Sequence, residues 1–163
     1  MAPLRVVGIS FDHMHMGDLL REVHAHPDAE IAGIYDPDPG RMAAAVASFG
    51  LTPDRVFTDL QQCLAATRAE LAILCSAPAK HAADVEAIAP SGAHIMVEKP
   101  FASSVADARR MIAAVPPSQK LAINWPLAWC RSHNTAKRLL DAGQIGTLLE
   151  VHFYDGNRGP LYH

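Results

Sequence analysis

Cysteine, positive charge and long apolar runs are scarce in this sequence of 163 residues. The three cysteines, Cys63, Cys75 and Cys130, are odd in number and far apart, which excludes a disulfide framework and a zinc-like spacing and favours a reducing compartment. With a net charge of −3, the chain lacks the excess of basic residues that is typical of proteins that bind nucleic acid. No apolar run has the length of a membrane span, and no signal-type segment precedes the first apolar run. We therefore expect a cytoplasmic protein with neither a nucleic-acid nor a membrane partner.

Half of the residues are apolar and 19% are charged, which is typical of a globular protein with a real core. Short apolar runs alternate with stretches in which apolar residues recur every three or four positions. The runs predict strands at 4–9, 30–35, 56–57, 71–75, 93–97 and 121–123. Strands that alternate with helices imply βαβ units with right-handed crossovers. The pattern predicts an α/β fold with a doubly wound, mostly parallel sheet over residues 1–125.

Several helix ends carry recognisable capping signals. Asp38 followed by Pro39 predicts the start of the second helix. Thr58, with Gln61 three residues later, predicts a capping box for the third helix. Ser104 opens the fifth helix. We expect the fifth helix to bury one stripe of apolar side chains: Val105, Ala108, Met111, Ile112 and Val115.

Residues 126–163 differ in character from the preceding chain. A linker over 126–131 leads into a helix that reaches Asp141, with Leu139 and Leu140 expected inside, and residues 148–154 alternate like a strand. A lone strand cannot form a sheet by itself. Either this segment begins a second α/β domain, which we favour, or its strand pairs with another molecule.

The turn after the first strand retains one glycine of a dinucleotide-binding fingerprint. That fingerprint requires glycine at positions 8, 10 and 13, where the backbone approaches a pyrophosphate and the helix packs closely on the strand. Here Gly8 is present, but Ser10 and His13 replace the other two, with Phe11 between them. The amino terminus of the following helix still favours an anion, so this turn is the predicted pyrophosphate site.

Asp36 ends the second strand, where a carboxylate can accept hydrogen bonds from adenosine ribose hydroxyls and repel a 2′-phosphate. Alternatively, Asp36 belongs only to a turn whose helix cap is Asp38. The ribose role favours NAD over NADP, although Arg41 nearby keeps NADP possible.

Ser76, Ala77 and His81 follow the fourth strand and are expected at the same edge of the sheet, beside the cofactor. His81 could equally be a surface residue of the following helix. The pairs His13 with His15 and His24 with His26 lie at opposite ends of one predicted helix and lack a cysteine partner, so we predict no metal site.

Glu98-Lys99-Pro100 is the most informative motif, because it places an acid and a lysine at the end of a buried strand. A lysine that faces a cavity there can hold a substrate hydroxyl during hydride removal. We therefore predict that Lys99 is catalytic and binds substrate; the alternative is an exposed turn lysine.

The order of these motifs resembles the Gfo/Idh/MocA oxidoreductases, relatives of glucose–fructose oxidoreductase and inositol dehydrogenase. The resemblance rests on the glycine-containing first turn, Asp36, Pro78, His81, Glu98-Lys99-Pro100 and Gly143-Gln144-Ile145-Gly146. It implies an NAD(P)-binding Rossmann domain, followed by an α/β domain with an open sheet through which such proteins assemble as homo-oligomers. By resemblance, Lys99 contacts the substrate hydroxyl and the nicotinamide end, and Glu98 orients the cofactor. The family's catalytic histidine has no match among these residues.

We therefore expect an NAD(P)-dependent oxidoreductase that transfers a hydride between the cofactor and a sugar, polyol or inositol-like hydroxyl. Asn124, at the end of the sixth strand, is placed beside the cofactor and the substrate, and Arg158 on the substrate side. The alternative is a family member that binds a nucleotide or a sugar without redox chemistry and acts as a sensor or interaction protein, because two fingerprint glycines are missing.

Overall fold

In the computed structural model, which describes residues 2–154, six parallel strands form one sheet in the order β3-β2-β1-β4-β5-β6. The strands are β1 (Leu4–Ile9), β2 (Ala29–Tyr35), β3 (Val56–Phe57), β4 (Leu71–Leu74), β5 (His94–Glu98) and β6 (Leu121–Asn124). The helices are α1 (His15–Ala25), α2 (Pro39–Phe49), α3 (Leu60–Thr67), α4 (His81–Ile88), α5 (Val105–Ala114) and α6 (Arg131–Asp141). The predicted doubly wound α/β fold is confirmed.

Helices cover both faces of the sheet, and alternate residues of β1 show how. Val7 and Ile9 belong to the core shared with α3, α4 and α5, whereas Val6 packs with side chains of α1 and α2 on the opposite face. Successive side chains of a strand point to opposite faces, so a strand buried on both sides must be apolar throughout. This explains why β1 and β4 are nearly continuous apolar runs.

The helix caps agree with the sequence at two of the three expected positions. The Asp38 carboxylate accepts a hydrogen bond from the Gly40 amide at 2.9 Å, and the Ser104 hydroxyl accepts one from the Asp107 amide at 3.0 Å. The expectation for Thr58 is wrong: Asp59 caps α3 by accepting a hydrogen bond from the Gln62 amide at 2.7 Å. Both residues favour the cap position, and the carboxylate also interacts favourably with the helix dipole.

The predicted apolar stripe of α5 is only partly buried. Met111 is fully buried, but the side chains of Val105 and Ile112 are 70% and 63% exposed. The helix packs beside α4 at the β5–β6 end of the sheet, where it has a neighbouring helix on one side. A helix at the end of a layer buries a narrower face than its apolar pattern suggests.

Residues from Trp125 onward form a second compact unit, separate from the unit that ends at Asn124. It contains a 3-10 turn at Pro126–Trp129 and α6, in which Leu139 and Leu140 are half-buried rather than inside a core. Residues 148–154 do not form the expected strand. A strand needs a partner for its backbone hydrogen bonds, and these residues have none within the described part of this unit.

Across residues 2–154, the structure contains no helix that is both long and apolar enough to cross a membrane.

The cysteines provide a test of the core. Burial raises the pKa of the Cys63 and Cys75 thiols to about 12, with the nearby Glu98 charge adding to the shift at Cys75. At pH 8 roughly one such thiol in 10⁴ is a thiolate, whereas Cys130 is only half-buried. We expect a thiol-specific chromogenic reagent to modify one cysteine rapidly in the folded chain and all three in denaturant. Rapid modification of two or three cysteines in the folded chain would contradict this core.

Candidate functional site

The carboxyl ends of the parallel strands meet at one edge of the sheet. Chain order reverses between β1 and β4, which are neighbours in the sheet although two strands separate them in sequence. In open α/β sheets, ligands bind in the crevice beyond the strand ends at such a reversal point. The loops that follow β1, β2, β4 and β5 border this crevice.

The first turn combines close packing with an unusual backbone conformation. A Cβ atom at Gly8 would come within 2.9 Å of the Met16 Sδ atom and 3.2 Å of a Leu20 methyl group, so glycine lets α1 approach β1. Ser10 has a φ of 65°, in the left-handed region that favours glycine, and its amide donates to the Tyr35 carbonyl at 2.8 Å. The serine thus adopts a backbone conformation in which glycine would be unstrained.

His13 occupies the position of the third fingerprint glycine. Its ring packs edge-on against the His15 ring with 4.2 Å between the centroids, and its Nδ1 accepts a hydrogen bond from the His15 amide at 3.2 Å. Because α1 begins at His15, that amide is one of those that a bound anion would otherwise use. His13 therefore takes over part of the predicted pyrophosphate site.

Asp36 is fully buried, which differs from its expected role as an acceptor for ribose hydroxyls. Its Oδ2 accepts a hydrogen bond from the Phe11 amide at 2.7 Å, and its Oδ1 accepts one from the Asp38 amide at 2.9 Å. The carboxylate has no exposed surface with which to receive a ligand. Asp36 instead joins the first turn to the start of α2, and Phe11 contributes its backbone to that contact.

Asp12, which the sequence analysis did not select, joins the first turn to two other loops. Its carboxylate accepts hydrogen bonds from the Lys80 Nζ at 2.7 Å and from the Ala77 amide at 3.0 Å, and it pairs with the Arg41 guanidinium. We call Asp12, Arg41, Ala77 and Lys80 the Asp12 cluster. Asp12 lies 29 residues from Arg41, 65 from Ala77 and 68 from Lys80 in sequence, so no local pattern could reveal the cluster.

Two effects compete at Asp12. Partial burial favours the neutral acid, but the hydrogen bonds from Lys80 and Ala77 and the Lys80 charge outweigh it, so the pKa of Asp12 lies below its usual value. The carboxylate is therefore ionised at neutral pH, and it compensates the charges of Lys80 and Arg41.

Glu98 brings together side chains from three elements. It is 2% exposed; its Oε1 lies 3.1 Å from the His15 Nδ1, and its Oε2 accepts a hydrogen bond from the Asn124 amide group at 2.8 Å. The pairing of β5 with β6 places Glu98 opposite Asn124. Glu98 thus points into the protein, where it ties α1 to the last strand.

Lys99 lines a cavity of about 250 Å³ at the carboxyl edge of the sheet. The residues that surround this cavity come from the first turn, from the loop after β4 and from the Glu98-Lys99-Pro100 motif: Asp12, His13, Ser76, Ala77, Pro78, Glu98, Lys99 and Pro100. The structure thus brings together predicted site residues that the sequence separates by more than 80 positions.

His81 lies in the interior, away from its predicted position beside the cofactor. It is fully buried, with its Nε2 2.8 Å from the Ser76 carbonyl oxygen and its Nδ1 3.0 Å from the Phe101 carbonyl oxygen. Because the side chain is fully buried, it cannot contact a ligand from this position. It instead contacts the backbone of the loop after β4 at Ser76 and of the segment after β5 at Phe101.

Two further expectations concern metal ligands and Arg158. No three His, Cys, Asp or Glu side chains in the described part of the chain come together as metal ligands would. Arg158 lies outside the described residues.

Comparison with known proteins identifies the fold and its family. A model of the oxidoreductase family with an NAD-binding Rossmann fold, Gfo/Idh/MocA, matches residues 5–124. The chain belongs to the Gfo/Idh/MocA family. It is 32% identical over 129 residues to D-apiose dehydrogenase from Paraburkholderia graminis, a match that covers 77% of this chain and 34% of that protein. It is 24% identical over 164 residues to inositol 2-dehydrogenase from Salmonella typhimurium, covering 96% and 47%.

Solved structures share this Gfo/Idh/MocA fold. An oxidoreductase from Agrobacterium radiobacter in complex with NAD+, L-tartaric acid and magnesium matches with a TM-score of 0.80 and 24% identity, over 90% of this chain and 42% of that one. The WlbA dehydrogenase from Bordetella pertussis, in complex with NADH and UDP-GlcNAcA, matches with a TM-score of 0.77 and 22% identity, over 89% and 41%. The chain therefore spans less than half the length of these relatives.

The site has features that suit the NAD of this Gfo/Idh/MocA family. The Ser76 hydroxyl is buried beside the cavity and lies near the Asp84 carboxylate. No group among the described residues, however, has both the distance and the angles of a hydrogen bond to it. A buried hydroxyl without a partner is costly unless a ligand or water completes it. The crevice, the helix amino terminus and this hydroxyl together fit a nicotinamide dinucleotide.

Ser10 offers a direct test of the first turn. Because its φ of 65° disfavours any residue with a Cβ, we expect Ser10→Gly to raise the free energy of unfolding by about 0.5–1 kcal/mol, as measured by urea denaturation. The matched control is Ser48→Gly on the exposed side of α2, which should lower it by about 0.5–1 kcal/mol. A loss of stability in both variants would show that the Ser10 side chain outweighs the backbone strain.

Proposed function

We propose that this chain binds NAD and forms the cofactor-binding part of a dehydrogenase that oxidises a hydroxyl of a sugar, polyol or inositol-like substrate, or reduces the corresponding carbonyl. The observation that carries the proposal is Lys99 at a cavity shared with the first turn and with the Ser76 loop. The relatives of the chain support this proposal, because two of them are named D-apiose dehydrogenase and inositol 2-dehydrogenase.

In the oxidation, the C–H bond of the carbinol carbon would break with NAD, when bound, as the hydride acceptor, and the hydroxyl proton would pass to a base as the carbonyl forms. The cofactor supplies only the hydride acceptor. Lys99 holds the hydroxyl oxygen by donating a hydrogen bond, and its positive charge favours the negative charge that develops there.

Glu98 and Asn124 fix the strand ends from which Lys99 projects. Their hydrogen bond joins β5 to β6 at the last paired position, and His15 holds the other carboxylate oxygen from α1. A catalytic side chain must be held near its productive position, because small displacements reduce the rate strongly. None of the described residues is assigned to accept the proton.

We further propose that residues 126–163 begin a second α/β domain that provides this proton acceptor and the contacts of a homo-oligomer. The length of the relatives supports this organisation, because the chain covers only 34% and 47% of the two curated proteins described above.

Titration of the chain with NADH tests whether it binds the cofactor that a dehydrogenase requires. Energy transfer from Trp125 or Trp129 to bound NADH should saturate at micromolar cofactor. Absence of binding at millimolar NADH would favour the second function, which the replacement of two fingerprint glycines by Ser10 and His13 supports.

Lys99→Ala tests the chemistry in the full-length gene product. We expect an NADH dissociation constant within about threefold of the wild type and a kcat lowered by about 10²–10⁴, measured as NADH formation with a panel of polyols and aldoses. Lys120→Ala is the matched control, because Lys120 is exposed just before β6, at the opposite edge of the sheet, and should leave kcat unchanged. A turnover that survives in Lys99→Ala would remove Lys99 from the mechanism.

A further inference from the structure

The Asp12 cluster is an anion site that the chain fills with its own carboxylate. One oxygen accepts hydrogen bonds from the Lys80 ammonium and the Ala77 amide, and the other pairs with the Arg41 guanidinium. Two cations and an aligned backbone amide are the groups that bind phosphate in proteins. They come from two different places in the chain: Arg41 lies in the first turn of α2, and Ala77 and Lys80 lie in the loop after β4.

The position of Arg41 connects this cluster to the adenosine half of a dinucleotide. In this fold the adenosine ribose lies at the carboxyl end of β2, and an arginine nearby accommodates a 2′-phosphate. Arg41 lies in the first turn of α2, directly after that strand. Its guanidinium also approaches the Asp38 carboxylate at 3.7 Å, so two carboxylates already share it.

In this fold, an acidic residue at the end of β2 normally distinguishes a ribose 2′-hydroxyl from a 2′-phosphate. Asp36 occupies that position here but cannot contact the ribose. It has no exposed surface, and two backbone amides occupy its oxygens. The choice between a ribose hydroxyl and a 2′-phosphate must then depend on other charges near the end of β2.

We propose that Asp12 is the specificity-determining residue for the cofactor, because it neutralises Arg41 and Lys80 and so makes the site reject a 2′-phosphorylated adenosine. A phosphate that approached Arg41 would have to displace the Asp12 carboxylate and would face Asp38. With a neutral residue at position 12, both cations become available to the phosphate. The inference rests on the proposed function, in that it concerns the same cofactor site.

The test measures binding of two adenosine fragments, 5′-AMP and 2′,5′-ADP, to the chain by isothermal titration calorimetry. The wild-type chain should bind 5′-AMP at least as tightly as 2′,5′-ADP. Asp12→Asn keeps an acceptor for the Ala77 amide but removes the charge; it should tighten 2′,5′-ADP binding by about tenfold or more and 5′-AMP binding by less than about threefold. Adding Arg41→Gln to this variant should reverse the gain.

Asp18→Asn is the matched control, because Asp18 forms an exposed ion pair with Arg21 on α1 outside the Asp12 cluster. It makes the same change of net charge and should leave both affinities unchanged. Thermal melting verifies that each variant folds, and Asp12→Ser repeats the test with a shorter neutral side chain if the asparagine variant melts early.

Four results would overturn the proposal: equal gains for both nucleotides, a gain below about tenfold for 2′,5′-ADP, a wild-type preference for 2′,5′-ADP, or failure to bind either nucleotide in every variant. The NADH titration separates this inference from the proposed function. If the chain binds NADH but Asp12→Asn does not tighten 2′,5′-ADP binding, only the specificity role of Asp12 is contradicted. If Asp12→Asn tightens 2′,5′-ADP binding but the chain does not bind NADH, the anion site stands and the proposed dehydrogenase function is contradicted.

Discussion

The crevice depends on one buried carboxylate, that of Asp36. Its two oxygens accept the amides of Phe11 and Asp38, so a single side chain sets the path of both the first turn and the loop that enters α2. A buried carboxylate needs such donors, since an uncompensated charge in the interior would cost several kcal/mol. These two segments carry Asp12 and Arg41, which form an ion pair. The position of the surface that a cofactor would contact therefore depends on Asp36.

The strands and helices of the first 124 residues could be predicted because their determinants are local. Apolar runs such as that of β4 and capping residues such as Asp38 act within a few positions of the chain. The exposure of a helix at the end of a layer is not set locally, and for that reason the apolar pattern of α5 wrongly predicts that Val105 and Ile112 are buried. The strand expected over 148–154 failed for a similar reason, since alternation alone does not provide a partner strand.

The sequence predicts at which edge of the sheet the candidate site lies, but not which side chains face its cavity. The carboxyl ends of parallel strands had to converge, which is why Lys99, Ser76 and His13 share a cavity. Which side chains face that cavity depends on contacts between distant loops. Glu98 and Lys99 show this clearly: both line the cavity, but the acid is also held by His15 and Asn124, which come from α1 and from β6. His81 and Asp36 likewise turned inward, and no sequence pattern distinguishes the two directions.

The buried His81 has a mechanical consequence for the molecule. Its ring lies between two carbonyl oxygens, with Nε2 2.8 Å from that of Ser76 and Nδ1 3.0 Å from that of Phe101. A neutral imidazole carries a single N–H, so in that form it can donate to only one of the two oxygens. The loop after β4 and the segment after Lys99 therefore share one proton donor, and the choice of tautomer decides which of them is held.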